Sequence, residues 1–191
     1  GIVLAVITFW LFANSLINVI PNLQTSFGSY LSTISIAVSL TALFCGMFVG
    51  GAGSLADYFG RVRLTIIGLW LNIFGSLLII VSDYIPLLLM GRAIQGLSAA
   101  LIMPATLSLI KAYYHGDKRQ RALSLWSIGS WGGSGFASLF GGMIATFLSW
   151  RWIFVFSIIV SLIAVLLIKG TPESKNQHAS SRQFDIVGLI L

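Results

Sequence analysis

Charge is what this sequence has least of. Only 8% of its 191 residues are Asp, Glu, Lys or Arg, against about a quarter in soluble globular domains. An ordinary water-solvated fold is thereby excluded. Cys45 is the single cysteine, so neither a disulfide framework nor a thiol metal site can be assembled. The two histidines, His115 and His178, both fall in polar connections without a cluster around them. Intramembrane hydrolases and transferases need a nucleophile with its base, or His and carboxylate ligands at metal spacing. The chain reads as no enzyme, and no metal is expected. Period-two alternation is missing, which argues against a β-barrel, and neither charged rings nor repeated filter loops suggest a passive channel.

What is present is apolar. Hydrophobic residues make up 57% of the chain and the mean hydropathy is +0.96, and runs near the roughly 20 residues needed to cross a bilayer recur along its length. The spacing predicts spans at Gly1 to Ile20, Thr33 to Ala56, Leu64 to Ser82, Ile85 to Ile110, Ala122 to Phe147 and Trp152 to Ile168, with another beginning near Phe184. The first has no basic flank before it and no small-residue cleavage site after it, so it reads as a span and not a signal peptide. Gly1 is not expected to be a natural start, and Leu191 falls inside an unfinished apolar run, so a fragment is expected.

The net charge of +6 is distributed by topology. Arg61 and Arg63 follow the second span, Lys111, Lys118, Arg119 and Arg121 the fourth, and Lys169, Lys175 and Arg182 the sixth, whereas Pro21 to Ser32 and Asp83 to Tyr84 carry no base. Basic residues concentrate on the cytoplasmic side, so the N-terminal side and the polar stretch after span six are expected there, in a multi-pass protein of the cell membrane. This pattern sets orientation and does not recruit nucleic acid. Three units follow: a six-helix bundle over 1–169, a mobile cytoplasmic linker over 170–183, and the start of a seventh helix over 184–191.

Spans two and five carry small residues every four positions. Ala42, Gly46, Gly50 and Ser54 form one stripe; Gly129, Gly133, Ala137 and Gly141 form the other, with Ser134, Ser138 and Gly142 one step round. Such stripes let helix backbones approach closely in lipid. They occupy the middle helices of spans one to three and four to six, as two inverted three-helix repeats would require. Generic glycine-rich packing is the plainer reading.

Several polar residues could carry function. Between spans two and three, Gly53, Asp57, Gly60, Arg61 and Arg63 put a carboxylate and two guanidiniums in a short turn. Asp57 is expected to pair with Arg61 and can sit against the positive N-terminus of another helix; the alternative is a solvated loop carboxylate. Arg92 lies two turns into span four, with Gln95, Gly96 and Ala99 on its face. A charge at that depth needs a partner or a wet cavity. In span one, Asn14 and Asn18 lie four apart with Trp10 one turn before, a pair that either binds a polar ligand group or joins two helices. Trp10, Trp126 and Trp131 either line an adaptable aromatic cavity or face lipid and packing.

The run Gly53, Leu55, Ala56, Asp57, Gly60, Arg61 resembles the loop signature between the second and third helices of the major facilitator superfamily. Tyr58 and Val62 replace two basic positions of that pattern, and Arg63 restores one nearby. Leu88, Arg92, Gln95, Gly96, Ala99 and Ala100 resemble the superfamily's fourth-helix signature. Gly133, Ala137, Ser138, Gly141 and Gly142 resemble the antiporter signature of the fifth helix, with Ala137 and Ser138 in place of Gly and Pro. Without that proline the helix is expected to be less kinked. Trp150, Arg151, Trp152, Ile153 and Phe154 resemble the sixth-helix run of the fourteen-helix drug:proton antiporter branch, and Phe184, Asp185 and Gly188 its entry to helix seven. Trp150 to Phe154 also suit an interfacial anchor. The whole chain resembles the Nor-type multidrug efflux pumps of Gram-positive bacteria.

That resemblance implies an all-α membrane protein of major facilitator fold, here its N-terminal six-helix bundle plus the start of helix seven. It implies proton-coupled antiport of amphipathic drugs by alternating access, hence antibiotic resistance, by a complete chain working as a monomer. A proton gradient is the energy source, and no cofactor is needed. The Asp57 cluster would be a conformational latch. Arg92, with Gln95 and Gly96, would serve proton coupling, or Arg92 would merely anchor helix one. No acid lies deep in a span, which puts the expected proton carrier outside this chain. A transporter-like receptor or regulatory protein, and an uptake carrier for another small solute, are the alternatives.

Overall fold

The computed structural model describes residues 1–13, 16–28 and 30–173, without the side chains of 10–13, 18 and 145. Every regular element among these residues is helical: α1 (Ile2–Ala13), a 3-10 turn (Ile17–Val19), α2 (Ile20–Phe27), α3 (Leu31–Phe59), α4 (Arg61–Ile80), α5 (Ile85–Tyr113), α6 (Gly116–Ser127), a π turn (Ile128–Gly132), α7 (Gly133–Phe147) and α8 (Arg151–Lys169). Helices are what the bilayer demands, since each satisfies its own backbone hydrogen bonds. By length and hydropathy α3, α4, α5 and α8 can each cross a membrane. At 1.5 Å per residue α5 is about 43 Å long, more than the ~30 Å hydrocarbon core.

The remaining two spans are composite. Span one was expected to end at Ile20, but helical structure resumes through α2 to Phe27. Pro21 does not stop it, because it occupies the first turn of α2, where the missing N–H has no partner to lose. Where Ala137 and Ser138 stand in place of the signature's Gly and Pro, α7 runs unbroken from Gly133 to Phe147; span five is interrupted earlier, by the π turn between α6 and α7, around Gly129, Gly132 and Gly133.

The packing pairs the helices as two repeats would. With spans one to three matched to four to six, the α3–α5 contact corresponds to α7–α1, α4–α5 corresponds to α8–α1, and α4–α8 maps onto itself; all of these pairs are formed. Because each repeat has an odd number of spans, the second is inverted relative to the first. One core, around Leu16, Leu23, Ile34, Leu88 and Phe154, lies towards the end where α2 meets α3, and another, around Ala5, Leu69, Ile102, Leu109 and Ile168, lies at the opposite end.

The two small-residue stripes prove to differ. In span five, Gly129, Gly133, Ala137 and Gly141 are buried, and α1 and α7 pack together. A Cβ on Gly129 would stand 2.8 Å from Val3 Cγ1 of α1. In α3, by contrast, Ala42, Gly46, Gly50 and Ser54 are exposed, and a Cβ on Gly46, Gly50 or Gly53 would meet nothing within 4 Å. The stripe of α3 faces away from the bundle. The face of α3 that packs on α5 is the one carrying Ala37, Thr41, Ala52 and Ala56. Its closest approach is made by a glycine on the other helix: a Cβ on Gly96 would lie 2.5 Å from the Thr41 carbonyl oxygen.

Candidate functional site: a charge cluster at one end of the bundle and a buried arginine

The turn between the second and third spans is shorter than expected. α3 continues to Phe59 and α4 starts at Arg61, so the connection is Gly60 alone. Asp57 therefore sits in the last turn of a helix and not in a loop. Gly60 has φ +109°, a conformation that side chains rarely tolerate. The sharp reversal brings Arg61 back onto Asp57: Arg61 Nη2 and Nε donate to Asp57 Oδ1 at 2.8 and 3.1 Å. Arg61 Nη1 also donates to the Ser108 carbonyl of α5 at 3.3 Å. The expected pairing is present, and one guanidinium ties three spans together.

The sequence reading missed Glu173. This residue, just beyond α8, returns across the bundle and accepts hydrogen bonds from the backbone N–H groups of Val62 and Arg63 at 3.0 and 3.1 Å. Those donors belong to the first turn of α4, where intrahelical acceptors are lacking and the helix dipole favours an anion. The carboxylate found at a helix N-terminus here is thus Glu173, whereas Asp57 is engaged with Arg61. Arg63 Nε lies 4.0 Å from Glu173 Oε2 with its side chain largely exposed. Tyr113, at the end of α5, donates its hydroxyl to the Pro172 carbonyl. A signal did exist in the sequence: Glu173 is a lone acid following span six, on the side already occupied by Arg61 and Arg63. At least Thr171–Glu173 of the expected linker is docked; residues 174–191, with Phe184, Asp185 and Gly188, lie outside the described residues.

Arg92 is fully buried. Nε donates to the Ala37 carbonyl of α3 at 3.1 Å and Nη1 to Gln95 Oε1 at 2.9 Å. Gln95 Nε2 then donates to Ser76 Oγ of α4 at 3.0 Å, while Thr41 Oγ1 donates to the Arg92 carbonyl at 3.1 Å. This polar chain runs from α3 through α5 to α4 and supplies hydrogen bonds at Nε and Nη1, which offset part of the cost of a charge in hydrocarbon. Of the three residues expected to act together, Arg92 and Gln95 do so directly; Gly96 instead sets the α3–α5 separation.

The other candidates scatter. Trp126 Nε1 donates to Thr106 Oγ1 at 3.2 Å, fastening α6 to α5. Trp131, in the π turn, is 75% exposed. Gly133, Ala137 and Gly141 are buried on α7, while Ser138 is exposed and Gly142 half-buried. Asn14, and the side chains of Trp10 and Asn18, lie outside the described residues. The aromatic run at the start of α8 does more than anchor at an interface. Trp150 is buried and donates to Ser26 Oγ at 3.1 Å. Arg151 donates to the Ile80 and Ser82 carbonyls, each at 3.0 Å.

This arrangement has solved counterparts. A D-xylose-proton symporter crystal structure superposes with a TM-score of 0.79 at 17% identity, covering 91% of this chain and 47% of that one. A peptide transporter POT structure gives 0.65 at 20% identity, covering 88% and 37%. These establish the fold alone. Among curated proteins, the quinolone resistance protein NorB of Staphylococcus aureus strains JH9 and Newman is 67% identical over all 191 residues. The chain spans 41% of the length of those relatives. The family model described as Major Facilitator Superfamily matches residues 2–189, and the chain belongs to the major facilitator superfamily.

Proposed function

We propose that the complete protein exports amphipathic drugs across the cell membrane in exchange for protons, by alternating access, with this chain as the first of two bundles. The observation that carries the drug-efflux reading is the 67% identity to proteins named for quinolone resistance. The geometry supports a moving interface: α3 presents Gly46, Gly50 and Gly53 to open space, a surface suited to close helix contact with chain beyond these residues. In this reading α3 and the fifth span slide or rock against that second part.

The cluster of Asp57, Arg61, Arg63 and Glu173, with Gly53 and Gly60, acts as the latch. It joins α3, α4, α5 and the strap after α8 at one end of the bundle, so closing that end is coupled to how these helices sit together. By charge distribution that end is cytoplasmic. Arg92 supports coupling through its chain to Gln95 and Ser76, and the proton-carrying acid lies in the remaining chain. Trp131, together with Trp10, Asn14 and Asn18, belongs to the drug-facing surface.

Reconstitution of the complete protein in vesicles tests the proposal. A fluorescent cationic drug should accumulate against its gradient when a pH gradient is imposed, and a protonophore should abolish this. Binding without uphill movement would instead favour a receptor, and movement that ignores the gradient would remove proton coupling.

A further inference from the structure

The basic residues between the fourth and fifth spans differ from the arginines elsewhere at the ends of the bundle. Arg61, Arg63 and Arg151 each approach a carboxylate. Lys111, Lys118, Arg119 and Arg121 pair with none among the described residues, although Asp117 stands four positions before Arg121. Asp117 lies in the first turn of α6, where an acid complements the dipole of its own helix.

An open depression of about 640 Å³ runs along α6, lined by Asp117, Gln120, Arg121, Ser124 and Leu125. Lys118 borders it three positions from Arg121, and Ile128 continues the same face three positions beyond Leu125. Lys118, Gln120, Arg121 and Ser124 are all exposed, and Leu125 and Ile128 are 59% and 66% exposed. One helix face thus passes from cations through neutral polar groups to bulky aliphatic ones. Its direction is fixed by the bundle: Trp126 is fastened to Thr106 of α5, and the α5 carbonyl bound by Arg61 belongs to Ser108. The cationic half therefore lies at the latch end, and the aliphatic half points towards mid-bundle.

That order of chemistry matches a phospholipid standing in a leaflet, with a phosphate at the boundary and an acyl chain inward. A helix partner fits less well. Helix contacts in lipid favour small residues, as on the α3 stripe, and the cores of protein interfaces are depleted of charge.

We propose that this face of α6 binds an anionic phospholipid. Lys118 and Arg121 hold the phosphate, Gln120 donates to it, Asp117 and Ser124 accept from headgroup hydroxyls, and an acyl chain lies along Leu125 and Ile128. The Ser124 hydroxyl already donates to the Gln120 carbonyl at 3.0 Å, which leaves its oxygen as the acceptor. Each Lys or Arg at an anionic surface is worth about fivefold in binding, so Lys118 and Arg121 set the preference over a zwitterionic lipid.

The test places the complete protein in vesicles of phosphatidylcholine that carry a trace of phosphatidylglycerol or phosphatidylcholine with a photoreactive acyl chain. After illumination, adducts are mapped by mass spectrometry, with those at the exposed Phe156 and Ile159 of α8 normalising each measurement. The phosphatidylglycerol probe should label Leu125 and Ile128 at least fivefold more than the phosphatidylcholine probe. Lys118→Gln with Arg121→Gln should bring this ratio to within about twofold of unity, and Lys118→Arg with Arg121→Lys should keep at least half of it. Raising the salt to 0.5 M should at least halve the parent's ratio by screening, a readout that needs no variant to fold. Equal labelling by the two probes, or a preference indifferent to salt and to the Gln substitutions, would overturn the proposal. So would the absence of label from either probe, which would show the face covered by protein. The labelling requires no transport, so its outcome is separate from that of the export reading.

Discussion

The carboxylate of Glu173 occupies the space that a side chain on Gly60 would fill: a Cβ built there would lie 2.6 Å from Glu173 Cδ. Two residues 113 positions apart in the sequence thus make one cap, in which a glycine with φ +109° clears room for an anion to reach the start of α4.

Gly60→Ala should consequently lose twice, through backbone strain of roughly 1–3 kcal/mol and through expulsion of Glu173. Thermal unfolding of the purified protein should show the loss, and Glu173→Ala should be less harmful in the Gly60→Ala background than alone. Strict additivity of the two substitutions would mean that the residues do not share the site.

Asp57→Asn removes the ion pair with Arg61. Asp57 and Arg61 are 36% and 16% exposed, so solvent screening should hold the stability loss below about 1 kcal/mol. Export should fall much further than binding, by about tenfold or more, corresponding to roughly 1.4 kcal/mol on the rate-limiting step. Comparing drug affinity with export rate in vesicles checks this, and unchanged gradient-driven export would remove the latch role.

Arg92→Ala leaves the buried Gln95 amide oxygen without its donor, at about 1–3 kcal/mol, and removes the second hydrogen bond to the Ala37 carbonyl, which keeps its place in the ladder of α3. Lower yield of folded protein is expected, and in the inserted fraction a reduced proton-to-drug ratio. If folded Arg92→Ala keeps the parent's ratio, measured by simultaneous pH and drug fluorescence, the residue only holds α3, α4 and α5 together.

Gly96→Val and Gly46→Val should part company. The first drives atoms into the Thr41 backbone, 2.5 Å from where Cβ would sit, whereas the second finds nothing within 4 Å. Gly96→Val should disrupt folding through overpacking, typically about 1–3 kcal/mol or more. Gly46→Val should leave the stability of this bundle unchanged yet slow export in the complete protein. Equal effects on stability would refute the assignment of the α3 stripe to an outer contact.

The architecture was legible because lipid imposes it. Long apolar runs, small-residue periodicity and asymmetric basic connections report on single helices and their orientation, and these gave the spans to within a few residues at most boundaries. Helical structure runs past the expected end of span one at Ile20 because Pro21 occupies the first turn of α2, where it is compatible with a helix. The α3 stripe was legible as a stripe, but periodicity marks a face without naming its occupant.

Among the site residues, Arg92 and Gln95 lie within one helical turn, and Asp57 and Arg61 lie four positions apart across a one-residue turn, so nearness in sequence could pair them. Glu173 with Gly60, Asn72 of α4 with Ser157 of α8, and Arg151 with Ile80 could not be foreseen in that way. Each joins groups from separate spans, and their meeting depends on how helices cross and where a chain end folds back. The sequence by itself determined that this protein is a bundle of membrane helices with charge held at one end. Which carboxylate caps α4, which stripe is buried, and which helices are fastened were decided only by tertiary packing, because every bilayer-spanning helix satisfies its own backbone and leaves the choice of neighbour to side-chain fit.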